Sequence, residues 1–88
     1  MPWTVEFTDK ARRQLRKLPP DVQKRLLGFL RERVEQADDP RSLASSLTGE
    51  FSGFWRFRVG DYRLICRIED HHLVVLVLSV GHRRLVYQ

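Results

Sequence analysis

Four arginines recur at alternate positions in two neighbouring apolar stretches of this chain: Arg56 and Arg58 between Trp55, Phe57 and Val59, then Arg63 and Arg67 between Tyr62, Leu64, Cys66 and Ile68. A strand sends successive side chains to opposite faces, so each stretch presents its arginines on one face and its apolar residues on the other. A guanidinium offers a planar fork of donors that fits phosphate in two-point contacts, where an ammonium is a point charge. Antiparallel neighbours bring directly paired side chains within about 5 Å, so like charges there either stay out of register or are relieved by an anion. The chain then closes on Gly81-His82-Arg83-Arg84-Leu85-Val86-Tyr87. These residues emerge at one end of the same sheet, from which a tail can reach the arginine face. Histidine ordinarily titrates near ~6.5, which makes His82 the group there able to move a proton near neutrality, or else a surface loop histidine. Tyr87 can stack on a splayed base or donate from its hydroxyl; equally it can pin the chain end to the core. Arg56, Arg58, Arg63 and Arg67, with Arg83 and Arg84 from the tail, thus describe a cationic floor suited to phosphate, against the plainer reading of a solvated sheet face.

Other reactive residues lead nowhere comparable. Cys66 is the only cysteine and lies in an apolar strand, which excludes an intrachain disulfide and reads as a small buried hydrophobe. His71-His72 are adjacent in a turn, point apart and have no third ligand, so no metal site is expected. Asp61, Glu69 and Asp70 are turn residues with no reason to share a site. Phosphate-loop, nucleotide-fold and serine-hydrolase elbow motifs are absent, and no cofactor is implied.

The positioning elements follow from periodicity. Pro2 to Phe7 alternates Trp3, Val5 and Phe7 with Thr4 and Glu6, predicting a half-buried strand. Thr8 or Asp9 caps a helix whose Ala11, Leu15 and Leu18 form one stripe opposite Lys10, Arg12, Arg13, Arg16 and Lys17. Pro19-Pro20 stops it and opens a second helix with Val22, Leu26, Leu27, Leu30, Val34 and Ala37 inward, ending near Asp38-Asp39-Pro40. Arg41 to Gly53 reads as a connector tacked down by Leu43 and Leu47, without chemistry. Strands follow over Phe54 to Val59 and Tyr62 to Ile68, joined at Gly60-Asp61, and Leu73 to Val80 is apolar on both faces and so central. The order β-α-α-β-β-β describes an α+β fold with two helices on one face of a mainly antiparallel sheet.

A chain of 88 residues has room for one core, so residues 1–88 are expected to form one domain. Sixteen basic against eleven acidic residues give a net charge of +5 and a pI near 10.1, which points to polyanions or acidic proteins as partners. Of those basic residues only Lys10, Lys17 and Lys24 are lysines. The first residues have no signal-peptide pattern and Leu73 to Val80 is too short to span a bilayer, so no membrane is expected and a reducing cytoplasm is the expected location.

The alternating basic strand, Gly60-Asp61-Tyr62-Arg63-Leu64, the apolar strand after it and the Gly-His-Arg-Arg-x-x-Tyr ending resemble the RelE/ParE toxin superfamily, as do Val5-Glu6-Phe7-Thr8 and Lys17-Leu18-Pro19. For RelE-type members the resemblance implies a ribosome-dependent endoribonuclease that cuts mRNA in the decoding site and is silenced by a cognate antitoxin, acidic and partly disordered, wrapped around it. By that resemblance Arg63 is the phosphate-gripping arginine, Arg83 the tail arginine near the leaving oxygen and Tyr87 the base-stacking tyrosine. Arg56 and Arg58 stand where the best-known members have lysines. Arginine stays protonated and is a poor general base, so these two support charge while proton transfer falls to His82, then Tyr87. With Tyr87 one residue from the last position, the resemblance leads to the expectation that the C-terminal helix of longer members is missing. ParE-type members, similar in fold, imply the alternative of a protein that poisons DNA gyrase, with the basic helices more important than the arginine face; a third reading is a degenerate relative that only binds its antitoxin.

Overall fold

A computed structural model describes residues 2–83. Strand β1 (Thr4–Phe7) leads into helix α1 (Asp9–Arg16), and Thr8 is the cap: its Oγ1 accepts from the Ala11 N–H at 3.1 Å. Such a cap satisfies one of the donors that a helix start leaves unpaired. Pro20, with no N–H to lose, opens helix α2 (Pro20–Phe29). Gln23 ties the hairpin, its Nε2 donating to the carbonyls of Leu18 at 2.8 Å and Arg16 at 3.2 Å. The helix then widens into a π turn over Leu30–Val34, closed by the Glu35 N–H on the Leu30 carbonyl at 2.9 Å. Leu30 and Val34 are buried in that turn, and Glu35 Oε2 accepts from the Val5 N–H on the outer edge of β1 at 2.9 Å.

Three further strands carry the predicted pattern: β3 (Trp55–Val59), β4 (Tyr62–Glu69) and β5 (Val74–His82). The connector adds a strand the sequence did not announce, β2 (Ser45–Ser46), too short to show a period. The sheet runs β1-β5-β4-β3-β2, with β1 parallel to β5 and the other pairs antiparallel. β5 is an interior strand, between β1 and β4, although β4 and not β5 is the middle one; Leu73 is not part of β5 but exposed at a positive φ of 53° in the turn before it. Both helices cover one face. Phe57, Leu64, Cys66, Val75, Val77 and Val80 meet Ala11, Leu15, Leu26, Leu30 and Val34 in one buried cluster, and the rings of Phe29 and Phe57 meet edge to face at 5.9 Å. No helix among the described residues is long and apolar enough to cross a membrane.

A single irregularity exchanges the two faces of β5 near its end. Ile65 pairs with Ser79 but Cys66 pairs with Val77, leaving Leu78 as the extra residue of a bulge. A bulge inserts one residue, so the strand's inward and outward positions swap beyond it. Val77 and Val80, an odd spacing apart, therefore both reach the core. The last third of β5 runs past the end of β1, where Gln14 of α1 takes over: its Oε1 accepts from the Val80 N–H at 2.7 Å.

Candidate functional site

The open face of the sheet, away from the helices, brings three of the predicted arginines together. Arg58 is directly opposite Arg63 across β3 and β4, and Arg56, paired with Ile65, follows two residues along β3 on the same face. Direct partners share a face, so two guanidinium side chains start from Cβ atoms only about 5 Å apart. Arg58 is exposed, whereas Arg63 is buried to 9% exposure, its Nη1 donating to the carbonyls of Gly60 and Tyr62 at 3.2 Å each. The β3–β4 turn thus fixes one member of the pair and leaves the other facing solvent.

That turn is held from both sides. Gly60 adopts φ +59°, the left-handed region that suits glycine, and the Arg25 guanidinium of α2 lies so close that a Cβ there would stand 2.9 Å from Nη2. Beyond His82 the ladder continues as the Arg83 N–H donates to the Asp61 carbonyl at 2.8 Å, with Arg83 Nη1 3.9 Å from Asp61 Oδ1. Gly81 pairs with Arg63, and two residues on, in the strand's period, Arg83 follows at the rim of the arginine face.

Two expectations for the site change. His82 pairs with Tyr62, their rings edge to face at 5.8 Å, and Tyr62 belongs with Leu64 on the helix-covered face. The histidine therefore sits across the sheet from Arg58 and Arg63. The bulge is the reason: an unbroken period from Val75 and Val77 would put Gly81 and Arg83 inward and His82 outward, and the extra residue reverses both. Arg67, the other change, stands four residues from Arg63, about 13 Å along β4. There it is drawn to Glu69, with Nε at 3.0 Å and Nη2 at 2.9 Å from Oε2, while its place two residues from Ile65, the partner of Arg56, keeps it a diagonal neighbour of Arg56 on the same face. Arg84 and Tyr87 lie outside the described residues.

The remaining reactive groups behave as structure. Burial pushes the Cys66 thiol up and keeps it a neutral core residue. Among the described residues no group of three or more His, Cys, Asp or Glu could hold a metal ion, and His71 and His72 are exposed. Asp70 does have a partner that the turn pattern did not suggest. Arg41 donates to both of its carboxylate oxygens, at 3.0 and 2.6 Å, and its guanidinium lies 5.8 Å from the centre of the Trp55 ring. This hydrogen bonding holds the Asp70 carboxyl below its ordinary range and clips the connector to the β4–β5 turn.

The connector also contributes a feature the sequence did not reveal. A cavity of about 390 Å³ opens beside Arg56, lined by Ser46, Leu47, Thr48 and Phe51. Its residues are scattered through a polar stretch, and only the backbone pairing of β2 with β3 brings them to Arg56.

Comparison with known proteins agrees with this architecture. A family described as ParE toxin of type II toxin-antitoxin system, parDE, matches residues 5–87. Toxin RelG of Mycobacterium tuberculosis is 39% identical over 88 residues, covering 100% of this chain and 99% of the relative. The mRNA interferase toxin RelE of Escherichia coli is 33% identical over 84 residues, 94% of this chain and 85% of its own length. The crystal structure of the toxin-antitoxin complex RelBE2 from Mycobacterium tuberculosis contains a chain that superposes with a TM-score of 0.86 at 38% identity, covering 94% of this chain and 100% of that one. Helices, sheet order and arginine strands together with these matches lead to one conclusion: the chain belongs to the RelE/ParE superfamily and is the toxin component of a type II toxin-antitoxin system.

Proposed function

We propose that this chain is a single RelE-like domain that acts as an endoribonuclease on mRNA in the ribosomal decoding site. The observation that carries the reading is the direct pairing of Arg58 with Arg63 on the open face, with Arg56 beside them and Arg83 at the rim. In the reaction the 2′-hydroxyl of one nucleotide attacks the adjoining phosphorus. The bond to the 5′-oxygen breaks, giving a cyclic phosphate and a free 5′-hydroxyl, while one proton leaves the attacking oxygen and one reaches the departing oxygen. Charge accumulates on the phosphoryl oxygens in between. Fixed cations aimed at that charge lower the barrier without reorganising, and removing one such donor costs about 10²–10³-fold in kcat. Arg63, already seated on its turn, is suited to that role; Arg58 and Arg56 take the flanking phosphates and Arg83 the leaving oxygen. Its position across the sheet makes His82 a secondary participant, reached only by a strand that bends round the end of β5, and Tyr87 shares the proton-transfer role.

The relative named mRNA interferase toxin RelE supports this reading, as do solved complexes of related toxins with RelB antitoxins. We infer a matching partner here: an acidic antitoxin segment, disordered alone, that covers the arginine face and neutralises it. The test is growth arrest and transcript-end mapping with Arg63→Ala and His82→Ala. Arrest and ribosome-dependent cuts should be lost with Arg63→Ala and only reduced with His82→Ala. Arrest that survives Arg63→Ala would sink the nuclease reading. The ParE name of the matching family favours one alternative, a protein that binds DNA gyrase through the exposed Lys10, Arg12, Arg13 and Arg16 of α1 and Lys17 at its end; intact transcripts with broken DNA would establish it instead.

A further inference from the structure

We propose that the cavity beside Arg56, lined by Ser46, Leu47, Thr48 and Phe51, is a nucleobase pocket that reads the nucleotide next to the phosphate held by Arg58 and Arg63. The inference rests on the nuclease reading and gives it a source of sequence preference. About 390 Å³ is within the range of about 300–1,000 Å³ typical of small-ligand sites. Its lining suits a flat heterocycle with a polar rim: the Phe51 ring offers a stacking surface and Leu47 an aliphatic wall. The Thr48 hydroxyl can donate and accept, and Arg56 supplies a cation where the base joins its backbone.

Spacing ties this pocket to the arginine pair. Arg56 and Arg58 are two residues apart on β3, about 6.7 Å along the strand, comparable to the step between neighbouring phosphates of an extended single strand. A polynucleotide laid along β3 with one phosphate at Arg58 and Arg63 therefore brings its next phosphate to Arg56 and that nucleotide's base to the cavity. The wall is anchored to the same strand. Ser45 pairs with Arg56 and Ser46 with Trp55, and the Leu47 N–H donates to the Phe54 carbonyl at 3.1 Å. Phe51 is held within its loop, its N–H donating to the Thr48 carbonyl at 3.3 Å and its carbonyl accepting from the Phe54 N–H at 3.1 Å. The pocket and the phosphate site thus share strand β3.

The test uses 2′-O-methyl tetranucleotides of A, C, G and U, which cannot be cleaved because the attacking hydroxyl is blocked, titrated into the isotope-labelled toxin. The Phe51 ring and Leu47 methyl resonances should shift on saturation, and the four sequences should differ in affinity by about tenfold, as base-edge contacts do. Phe51→Ala should weaken the best binder about tenfold by loss of stacking. Thr48→Val, at an exposed position that leaves the fold intact, should level the ranking of the four sequences. Shifts at Arg58 and Arg63 without any at Phe51 and Leu47, equal affinity for all four sequences, or no binding by the unmodified toxin would each overturn the pocket. Transcript-end mapping separates this from the nuclease reading. Cuts by Thr48→Val with unchanged flanking bases would overturn the pocket and leave the nuclease intact; oligonucleotides that seat at Phe51 in a toxin that cuts nothing would do the reverse.

Discussion

The Arg58–Arg63 pair should cost the free protein stability, and replacing Arg58 should recover it. Side chains that start about 5 Å apart and keep about 5–6 Å between their charges in a water-like medium repel by about 0.7–0.8 kcal/mol. Domains of about 60–100 residues shift in Tm by about 4–8 °C per kcal/mol, so the pair is worth about 3–6 °C. Arg58→Gln removes the charge and keeps much of the side chain, while Arg58→Lys keeps the charge and serves as the control. In thermal melts at low ionic strength the Gln variant should unfold about 3–6 °C above the Lys variant. At 1 M salt, where the screening length falls to about 3 Å, that gap should shrink below about 1 °C. Polyphosphate or a short RNA should stabilise the unmodified toxin more than the Gln variant, because an anion does for the pair what the substitution does by deletion. The Gln variant is then the more stable protein and the weaker nuclease. A Gln variant that melts no higher than Lys at low salt would show that the repulsion is already absorbed by the carbonyls of Gly60 and Tyr62, and a gap that persists in 1 M salt would show that it does not come from charge repulsion.

The same geometry makes three further outcomes testable. Gly60→Ala should lower stability by about 1–2 kcal/mol, the cost of a left-handed residue with a Cβ; adding Arg25→Ala removes the 2.9 Å contact and should restore only a minor part, whereas full recovery in melts would show that the contact, not φ, is decisive. The buried Cys66 thiol should resist a thiol reagent in the folded toxin and react on the timescale of unfolding in denaturant; rapid labelling of the native protein would contradict its place in the core. Asp70, whose folded pKa lies below its unfolded one, adds stability above the ordinary aspartate range near ~3.9 and loses it as pH falls through the lower folded value. Melts of the unmodified protein and Asp70→Asn should therefore differ at neutral pH and converge in acid; a constant difference would mean that the Arg41 clip does not depend on charge.

How far the site is legible in the sequence depends on what kind of information each residue carries. Thr8, Ala11, Leu15 and Pro20 announce α1 and α2 because capping and the helical period are local properties of the chain. The alternation of Arg56, Arg58 and Arg63 with apolar neighbours likewise fixes which residues share the open face, since β3 and β4 are joined by a two-residue turn that sets their register. The failures begin where register passes through a feature that composition does not mark. Leu78 is one apolar residue in an apolar run, and nothing in its type says that it is the extra member of a bulge; only the competing demands of pairing with Ile65 and Cys66 and of packing Val77 and Val80 inward select it. Yet that residue decides the chemistry of everything after it, sending Gly81 and Arg83 to the arginine face and His82 to Tyr62. The Ser46-Leu47-Thr48 wall is invisible for a related reason: two residues of edge strand cannot show a period, and their partnership with Arg56 exists only through backbone hydrogen bonds. If the bulge sets the site, deletion of Leu78 should move His82 outward and Arg83 inward together. Cleavage should then fall far more than with His82→Ala, and the edge-to-face shift of the Tyr62 ring should vanish from its proton spectrum; a deletion that folds with that ring contact intact would show that pairing beyond the bulge is set by the β3–β4 turn instead.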